Sequence, residues 1–493
     1  MDREAGGQVA TTAFLGLDLG TGSLKAIVVD GDGRTLAIAS AGYPLESSHP
    51  DWSETDAERW WEAAIAATRQ ACEAAGRPSI AAIGLSAQMH GHVLVDAAAE
   101  PLRPAILWSD GRAESQRARY EALTSDQRRR LANPFMPGAA AATLVWLAEH
   151  EPATYMAARW SLQPKDWLRT RLVAGPPVTD ASDASATLLW DVPSDRWAED
   201  VIADLGVRSD MLPPVRASTA IAGRLSAAAA ATLGLEPGIP VAVGSADAPA
   251  AAVGTALVCR PGRVQMTVGT GAQIVLLRED PAIDPTGRTH LYRSAIEGQW
   301  YAMAAVQNSG LALDWVRRTL GLDWPTLFAA APTGPPLEDD PIFIPNITRE
   351  RPYQPHPGPG AAFVGAHLHH STMDLARAAL EGVGLGIRLA LEALPGAEDA
   401  GALLLAGGGS MAPGYRQMLA DILGRALESV EAEAASARGA ALIAGVAVGH
   451  WSSIVDAAAT AVADGAITAT RPEVHRAYAA RLSRFQDVAR CID

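Results

Sequence analysis

Two carboxylates and two glycine turns are the residues of this chain best suited to chemistry. Near the N-terminus the sequence runs Leu15-Gly16-Leu17-Asp18-Leu19-Gly20-Thr21-Gly22-Ser23-Leu24-Lys25. In the second half it runs Val264-Gln265-Met266-Thr267-Val268-Gly269-Thr270-Gly271-Ala272-Gln273. Each stretch is an apolar run, a Gly-Thr-Gly turn and a second apolar run, which predicts a β-hairpin whose glycines supply positive φ. A turn with two glycines also leaves backbone N–H groups unshielded by Cβ, which suits a phosphate oxygen. Asp18 adds an acidic group two positions before the first turn. The other carboxylate, Asp247, follows apolar Val241–Val243 and Gly244-Ser245-Ala246. It therefore projects from a strand end, either as the N-cap of the alanine-rich segment behind it or as a group aimed into a cleft. The chain has no GxxxxGK[ST], and a strand rather than a helix follows each turn, so neither is a Walker loop. The doubling predicts two similar domains facing each other, each with a phosphate clamp.

The elements that must position these groups follow from periodicity. Strand-like runs cover Phe14–Leu19, Lys25–Val29 and Thr35–Ala39, with Asp30-Gly31-Asp32-Gly33 turning between the last two. Ser53-Glu54-Thr55-Asp56 then opens a helix that stops at Gly76, with Trp60, Ile65, Thr68 and Cys72 near one stripe. A buried strand, Ile80–Leu85, ends in Ser86-Ala87-Gln88-Met89-His90-Gly91. The order βββαβ is mixed α/β rather than a doubly wound alternation. Residues 110–240 read as helical and loop-rich. The strand–turn–strand pattern restarts at Gly262, so the boundary falls near 255–261. A proline-rich loop, Ile344 to Gly360, precedes a long helix from Ser371 or Thr372 to about Leu394. A strand over Ala402–Leu405 runs into Ala406-Gly407-Gly408-Gly409, and Pro413 starts a helix ending near Gly424.

Composition narrows the class. A chain of 493 residues with 48% hydrophobic and 19% charged residues is globular and too long for one ordinary core. A net charge of −15 argues against a nucleic-acid or anionic-membrane partner, since both need a basic face. Cys72, Cys259 and Cys491 are odd in number and widely spaced, which supports neither a disulfide framework nor a zinc site. The N-terminal stretch lacks signal-peptide order, and Ala440–Val448 is too short and glycine-broken for a membrane span. The expectation is a soluble, cytoplasmic protein.

The blocks Gln88-Met89-His90-Gly91, Pro104 to Arg112, Pro164-Lys165-Asp166-Trp167-Leu168-Arg169, Ala406 to Gly409 and Arg416 to Asp421 stand in an order that resembles the FGGY family of carbohydrate kinases, xylulokinases above all. The resemblance runs from about Phe14 to about Arg481. It implies an α/β fold of two actin/hexokinase-like (ribonuclease H-like) domains around an interdomain cleft. The domains are set at 13–258, N-terminal and sugar-binding, and 259–486, C-terminal and nucleotide-binding, after a loose tail over 1–12. It implies ATP-dependent phosphorylation of a small ketose, D-xylulose first, with ATP and Mg²⁺ as cofactors.

Residue by residue, the resemblance makes Asp247 the general base, because a sugar hydroxyl is a poor nucleophile until a carboxylate takes its proton. It places Gln88, Met89, His90, Asp247 and Ala248 at the sugar, and Asp18 at the metal. Gly20, Thr21 and Gly22 with Gly269, Thr270 and Gly271 take the nucleotide phosphates, and Gly407, Gly408 and Gly409 the adenosine side. Lys25 points either to phosphate or to solvent. Xylulokinases usually carry Asn after the catalytic Asp where this chain has Ala248, and a Gly-Glu-Arg-Thr-Pro stretch is altered to Arg349-Glu350-Arg351-Pro352-Tyr353. Both departures bear on which sugar is used, so ribulose, erythritol and glycerol stay as alternatives, with Glu350-Arg351 either a solvated charge cluster or given an interdomain or cleft role. His367, His369 and His370 read as surface residues, with no acidic partner at ligand spacing. The helical Gly382, Gly384 and Gly386 read as a close-packing face. A non-catalytic sensor and an actin-like ATPase are the readings from other classes. The oligomeric state stays open, a homodimer among the options.

Overall fold

A computed structural model describes residues 12–45, 49, 51–347, 360–407, 412–430, 433–460 and 465–491. The predicted tail lies outside the described residues except Thr12, which already belongs to a strand. The Glu350-Arg351 site, Gly408 and Gly409 also lie outside them.

The chain divides into two units. The first joins residues 1–259 to two segments that return from the second half, 292–300 and 433–462. Its seven-stranded sheet is built on β1 (Thr12–Leu19), β2 (Ser23–Asp30), β3 (Thr35–Gly42) and β4 (Ser79–Ala87). β5 (Ile221–Arg224), β6 (Pro240–Ala242) and β7 (Ser245–Ala246) extend it beyond β4. β1 is antiparallel to β2 and β2 to β3, while β4 runs parallel to β1, and β6 and β7 each run parallel to β4. The parallel strands thus end together, at Leu19, Ala87 and Ala246.

One face of this sheet is covered by α1 (Ala57–Ala74), capped by Asp56, whose side chain accepts from Glu58 N. Trp60, Ala64, Ala67, Thr68, Ala71 and Cys72 are buried at helical spacing, while Ile65 sits at the stripe's edge. Leu15, Leu17 and Leu19 point the same way, into that core. The opposite face belongs to α3 (Asp247–Gly254) and α7 (Ala435–Ala447), the latter from the returning segment. Here the chain packs backbone on backbone. A Cβ on Gly16 would lie 1.9 Å from Ala437 O, and one on Gly84 would lie 1.8 Å from Ala440 O. Gly439 meets Ala250 O in the same way at 1.8 Å.

The second unit carries a seven-stranded sheet whose centre is β9 (Ala272–Arg278), β8 (Val264–Val268), β12 (Leu403–Ala406), β13 (Leu427–Ser429) and β14 (Ile467–Thr468), in that order. β8 is antiparallel to β9 and parallel to β12, the arrangement β1 has with β2 and β4. (β10, His290–Arg293, and β11, Trp300–Val306, lie beyond β9.) The long predicted helix is α5 (Thr372–Glu392), followed by α6 (Pro413–Leu423) with Gly424 left-handed at its end. Close packing holds at Gly382 and Gly384, whose added Cβ would meet Phe343 O at 2.1 Å and Ile422 Cδ1 at 2.7 Å, whereas Gly386 meets nothing within 4 Å. No described helix is long and apolar enough to cross a membrane.

Candidate active site

In the first unit the predicted groups gather where the parallel strands end. Asp18 pairs in register with Ser86 on β4, and Ser86 with Ser245 on β7. Ser86 Oγ donates to Asp18 Oδ1 at 3.0 Å. Asp247 comes two residues after Ser245 and is the first residue of α3. Ala246 holds the N-cap position, and the Asp247 carboxylate accepts from the adjacent Ala248 N–H at 2.8 Å. The cap alternative is therefore not what the side chain does.

The electrostatics set the two carboxylates apart from surface acids. Burial pushes Asp247 up to about 7, and the charge of Asp18 adds to that shift. Burial likewise raises Asp18, while the Ser86 hydrogen bond and the Lys25 charge pull it back. Lys25 is the cross-strand partner of Asp18 and is exposed. Both aspartates keep part of their surface open to solvent, so a ligand can reach them. Asp18, partly open and holding one side-chain hydrogen bond from Ser86, is a hard oxygen donor of the kind a divalent cation takes.

The first hairpin turn is held from three sides. Gly20 N donates to Ser23 O at 3.0 Å, and Gln88 Nε2 and the Tyr43 hydroxyl both donate to Gly20 O. Trp108 Nε1 donates to Thr21 Oγ1 at 2.9 Å. Gln88 Oε1 has no hydrogen-bond partner among the described residues. Met89 and His90 are buried beside it. His90 adopts φ +70°, rare for a residue with a Cβ. Its Nδ1 lies 2.8 Å from Ala186 O, so that nitrogen carries the hydrogen, and its ring lies 5.7 Å from the Tyr292 ring. Ala248 is buried and offers the site only its backbone N–H.

The second hairpin lies in the second unit. Gly269 N donates to Gly271 O at 2.8 Å. Helix α4 (Gly310–Thr319) starts on this turn: Gly310 N and Leu311 N donate to Gly269 O and Thr270 O at 3.1 and 2.8 Å. A helix N-terminus carries partial positive charge, which favours phosphate.

The structure corrects the reason given for the glycines. None of Gly20, Gly22, Gly269 and Gly271 is among the positive-φ residues. What counts is space: a Cβ on Gly271 would lie 2.8 Å from Val306 O, and one on Gly20 would lie 3.1 Å from Ser23 O. Gly22 faces nothing within 4 Å, and the nearest atom at Gly269 is 3.8 Å away. Gly407, at φ +98°, would place a Cβ 2.3 Å from Val268 O, so its backbone contact with the end of β8 already requires glycine.

A second correction concerns the histidines. His369 does have an acidic neighbour, Asp339, with Nε2 3.3 Å from its Oδ2, and His370 joins them within ligand distance. Both side chains of the pair are more than half exposed. The partner comes from an earlier loop, which spacing along the chain does not reveal. Ser86, Tyr43 and Trp108 are the site neighbours that motif reading passed over. Ser86, two positions before Gln88 on an otherwise apolar strand, and Trp108, inside the Pro104 to Arg112 block, had a signal; Tyr43 had none.

Comparison with known proteins places this geometry. The model of the FGGY family of carbohydrate kinases, N-terminal domain, matches residues 13–254, and that of the C-terminal domain matches 264–448. A xylulose kinase of Escherichia coli (strain K12) is 31% identical over 446 residues, covering 90% of this chain and 92% of that protein. A xylulose kinase of Klebsiella pneumoniae is 33% identical over 438 residues, covering 88% and 90%. The crystal structure of a xyloylose kinase from Brucella ovis superposes with a TM-score of 0.90 at 28% identity, over 97% of this chain and 99% of that one.

Proposed function

The chain belongs to the FGGY family of carbohydrate kinases, and from that premise we propose that it transfers the γ-phosphoryl group of ATP to D-xylulose, giving D-xylulose 5-phosphate. The relatives reported above are xylulose kinases over nine-tenths of their length. The observation that carries the chemistry is Asp247, a carboxylate with its titration raised to about 7 at the end of a parallel strand set. A base that titrates near neutrality is matched to taking a proton from a sugar hydroxyl as the oxygen attacks phosphorus.

Each neighbour then has a task. Asp18 would hold Mg²⁺, which when bound neutralises charge on the phosphates. Gln88, Met89 and His90 line the sugar, with Gln88 Oε1 ready to accept from a hydroxyl and His90 fixed by Ala186 O. The Gly20–Gly22 turn leaves a backbone edge where an oxygen can approach, and the Gly269–Gly271 turn does the same at a helix N-terminus. Gly407 marks the strand end beside which the adenosine would lie. ATP as donor fits a cytoplasmic setting.

Ala248 supports a second reading, the same transfer to another ketose or polyol, because its side chain cannot hydrogen-bond a sugar hydroxyl. A sensor without catalysis is disfavoured by the retention of both carboxylates. Coupled measurement of ADP release on a panel of pentuloses and polyols tests all of these. D-xylulose should give the highest kcat/KM, and Asp247→Asn should lower kcat by roughly 10²–10⁴-fold while ATP still binds. Turnover near that of the unaltered enzyme would remove Asp247 from the role, and sugar-independent hydrolysis would point to an ATPase.

A further inference from the structure

Behind Asp247 lies an ion cluster that the reaction as described does not use. Lys165 opens α2 (Pro164–Leu172) and is fully buried. Its Nζ lies 2.7 Å from Asp166 Oδ1, 3.0 Å from Asp180 Oδ1 and 2.9 Å from Asp183 Oδ2. Arg169 adds a second cation, 3.1 Å from Asp166 Oδ1. Burying so many charges gains little stability over a well-packed apolar core. The cluster therefore calls for another reason, and its hydrogen bonds supply one.

Arg169 Nη2 donates to Val178 O, and three other links run from the cluster to the segment ahead of Asp247. Ser182 Oγ donates to Asp180 Oδ2 at 2.6 Å and accepts from Ala246 N at 2.9 Å. Ser218 Oγ donates to the same carboxylate at 2.9 Å, and Ser218 O accepts from Gly244 N at 3.0 Å. Arg169 Nη1 donates to Val243 O at 2.8 Å. Val243, Gly244 and Ala246 are thus each held by a residue that also holds the cluster or belongs to it. Gly244 sits at φ +82° with its missing Cβ against Leu85 O at 2.2 Å, so the chain has one way through this bend.

We propose that Lys165, Asp180, Arg169 and Ser182 form a positioning centre that fixes the carboxylate of Asp247. The proposal rests on Asp247 acting as the base. The charges are consistent with a rigid, closed unit. Two cations face three carboxylates, and one carboxyl that keeps its proton balances them. Asp183 is that group, raised to about 8 by burial first and by Asp180 and Asp166 in addition. Burial opposes the charge on Lys165, but the carboxylates of Asp166 and Asp180 outweigh it and hold it protonated.

Removing the Lys165 ammonium leaves buried carboxylates uncompensated and endangers folding, so the test turns on Ser182→Ala, which cuts the link to Ala246 N and leaves every charge in place. A misplaced base costs the chemical step, so kcat should fall about tenfold with KM for ATP changed by less than about twofold. The decisive measurement repeats Ser182→Ala in the Asp247→Asn background, where no base remains to be positioned. There the residual rate should change by less than roughly twofold. An unchanged kcat in the single variant, or an equal fall in both backgrounds, would overturn the proposal in favour of a purely structural cluster. If Asp247→Asn itself turns over at the unaltered rate, the assignment of the base falls first and the positioning proposal falls with it.

Discussion

The two Gly-Thr-Gly hairpins share a frame and differ in what surrounds it. In each, the first strand pairs antiparallel across the turn and parallel with a strand from further along the chain. In the first, Leu19 pairs with Leu24, and in the second Val268 pairs with Ala272, so the second turn is one residue tighter. Asp18 stands two residues before the first turn with Lys25 opposite; the same place in the second hairpin holds Thr267 with Gln273 opposite. The first turn's carbonyl is taken up by Tyr43 and Gln88 side chains, the second turn's carbonyls by the backbone of α4. One copy of the frame has acquired a carboxylate and the other the positive end of a helix. The lesson is that a repeated turn marks a shared ligand-friendly geometry, while the flanking residue decides what each copy contributes.

The sharpest way to break the comparison is to remove the acid. Asp18→Asn should lower kcat/KM by about 10²-fold, of the order seen when one group stabilising transferred charge is lost, and raise the Mg²⁺ concentration needed for half-maximal rate. It should also move the acid limb of the pH profile. Asp247 must be ionised to accept a proton, so the rate falls as pH drops through about 7. The Asp18 charge is part of what raises that value, so the limb should move to lower pH in the variant. Thr267→Ala, at the matching place, should change kcat/KM by less than about threefold. Equal losses in the two variants would mean that the asymmetry is not functional.

A smaller effect tests what the turns still have in common. A Cβ on Gly22 would meet nothing within 4 Å and one on Gly269 only Gly271 O at 3.8 Å, an ordinary contact, so Gly22→Ala and Gly269→Ala should leave the melting temperature nearly unchanged. If a phosphate approaches that backbone, each should weaken ATP binding by roughly tenfold. Calorimetry with both affinities intact would reduce the turns to hairpin connections. The smallest effect is expected at Ala248→Asn, which adds an amide beside Asp247. One hydrogen bond to a sugar hydroxyl is worth about 0.5–1.5 kcal/mol, so the ranking of sugars should shift towards D-xylulose by up to about tenfold with kcat for the best sugar little altered. An unchanged ranking on the same sugar panel would show that position 248 does not read the substrate.

What could be read in advance was local. The hairpins, the α1 stripe around Trp60, the strand into Gln88 and the long helix after Ser371 follow from periodicity and turn chemistry. Asp247 at a strand end follows from the apolar run before it. What could not be read was set by tertiary approach. Gly16 and Gly84 look like weak points in their strands until α7 is seen resting on them. Lys165 and Asp166 stand in a recognisable block, yet nothing in that block announces Asp180 and Asp183 as partners. Asp339 reaches His369 from a different loop. The turn glycines were located by pattern, but that none of them is left-handed, and that Gly20 and Gly271 are enclosed while Gly22 and Gly269 are not, needed coordinates.

The return of α7 to the first unit also sets the order in which the molecule can be made. Residues 12–87 can pair as strands as soon as they are made, with α1 to cover one face. The other face has to wait, because the backbone that fits against Gly16 and Gly84 belongs to Ala437 and Ala440. Closing so long a loop adds only slowly to the entropy cost, so the finished unit is not weakened by the distance. The delay is kinetic: the sheet face lacks α7 until residues 435–447 have been translated, a period in which nascent chains are prone to aggregate. The first unit is completed only by a segment that follows most of the second.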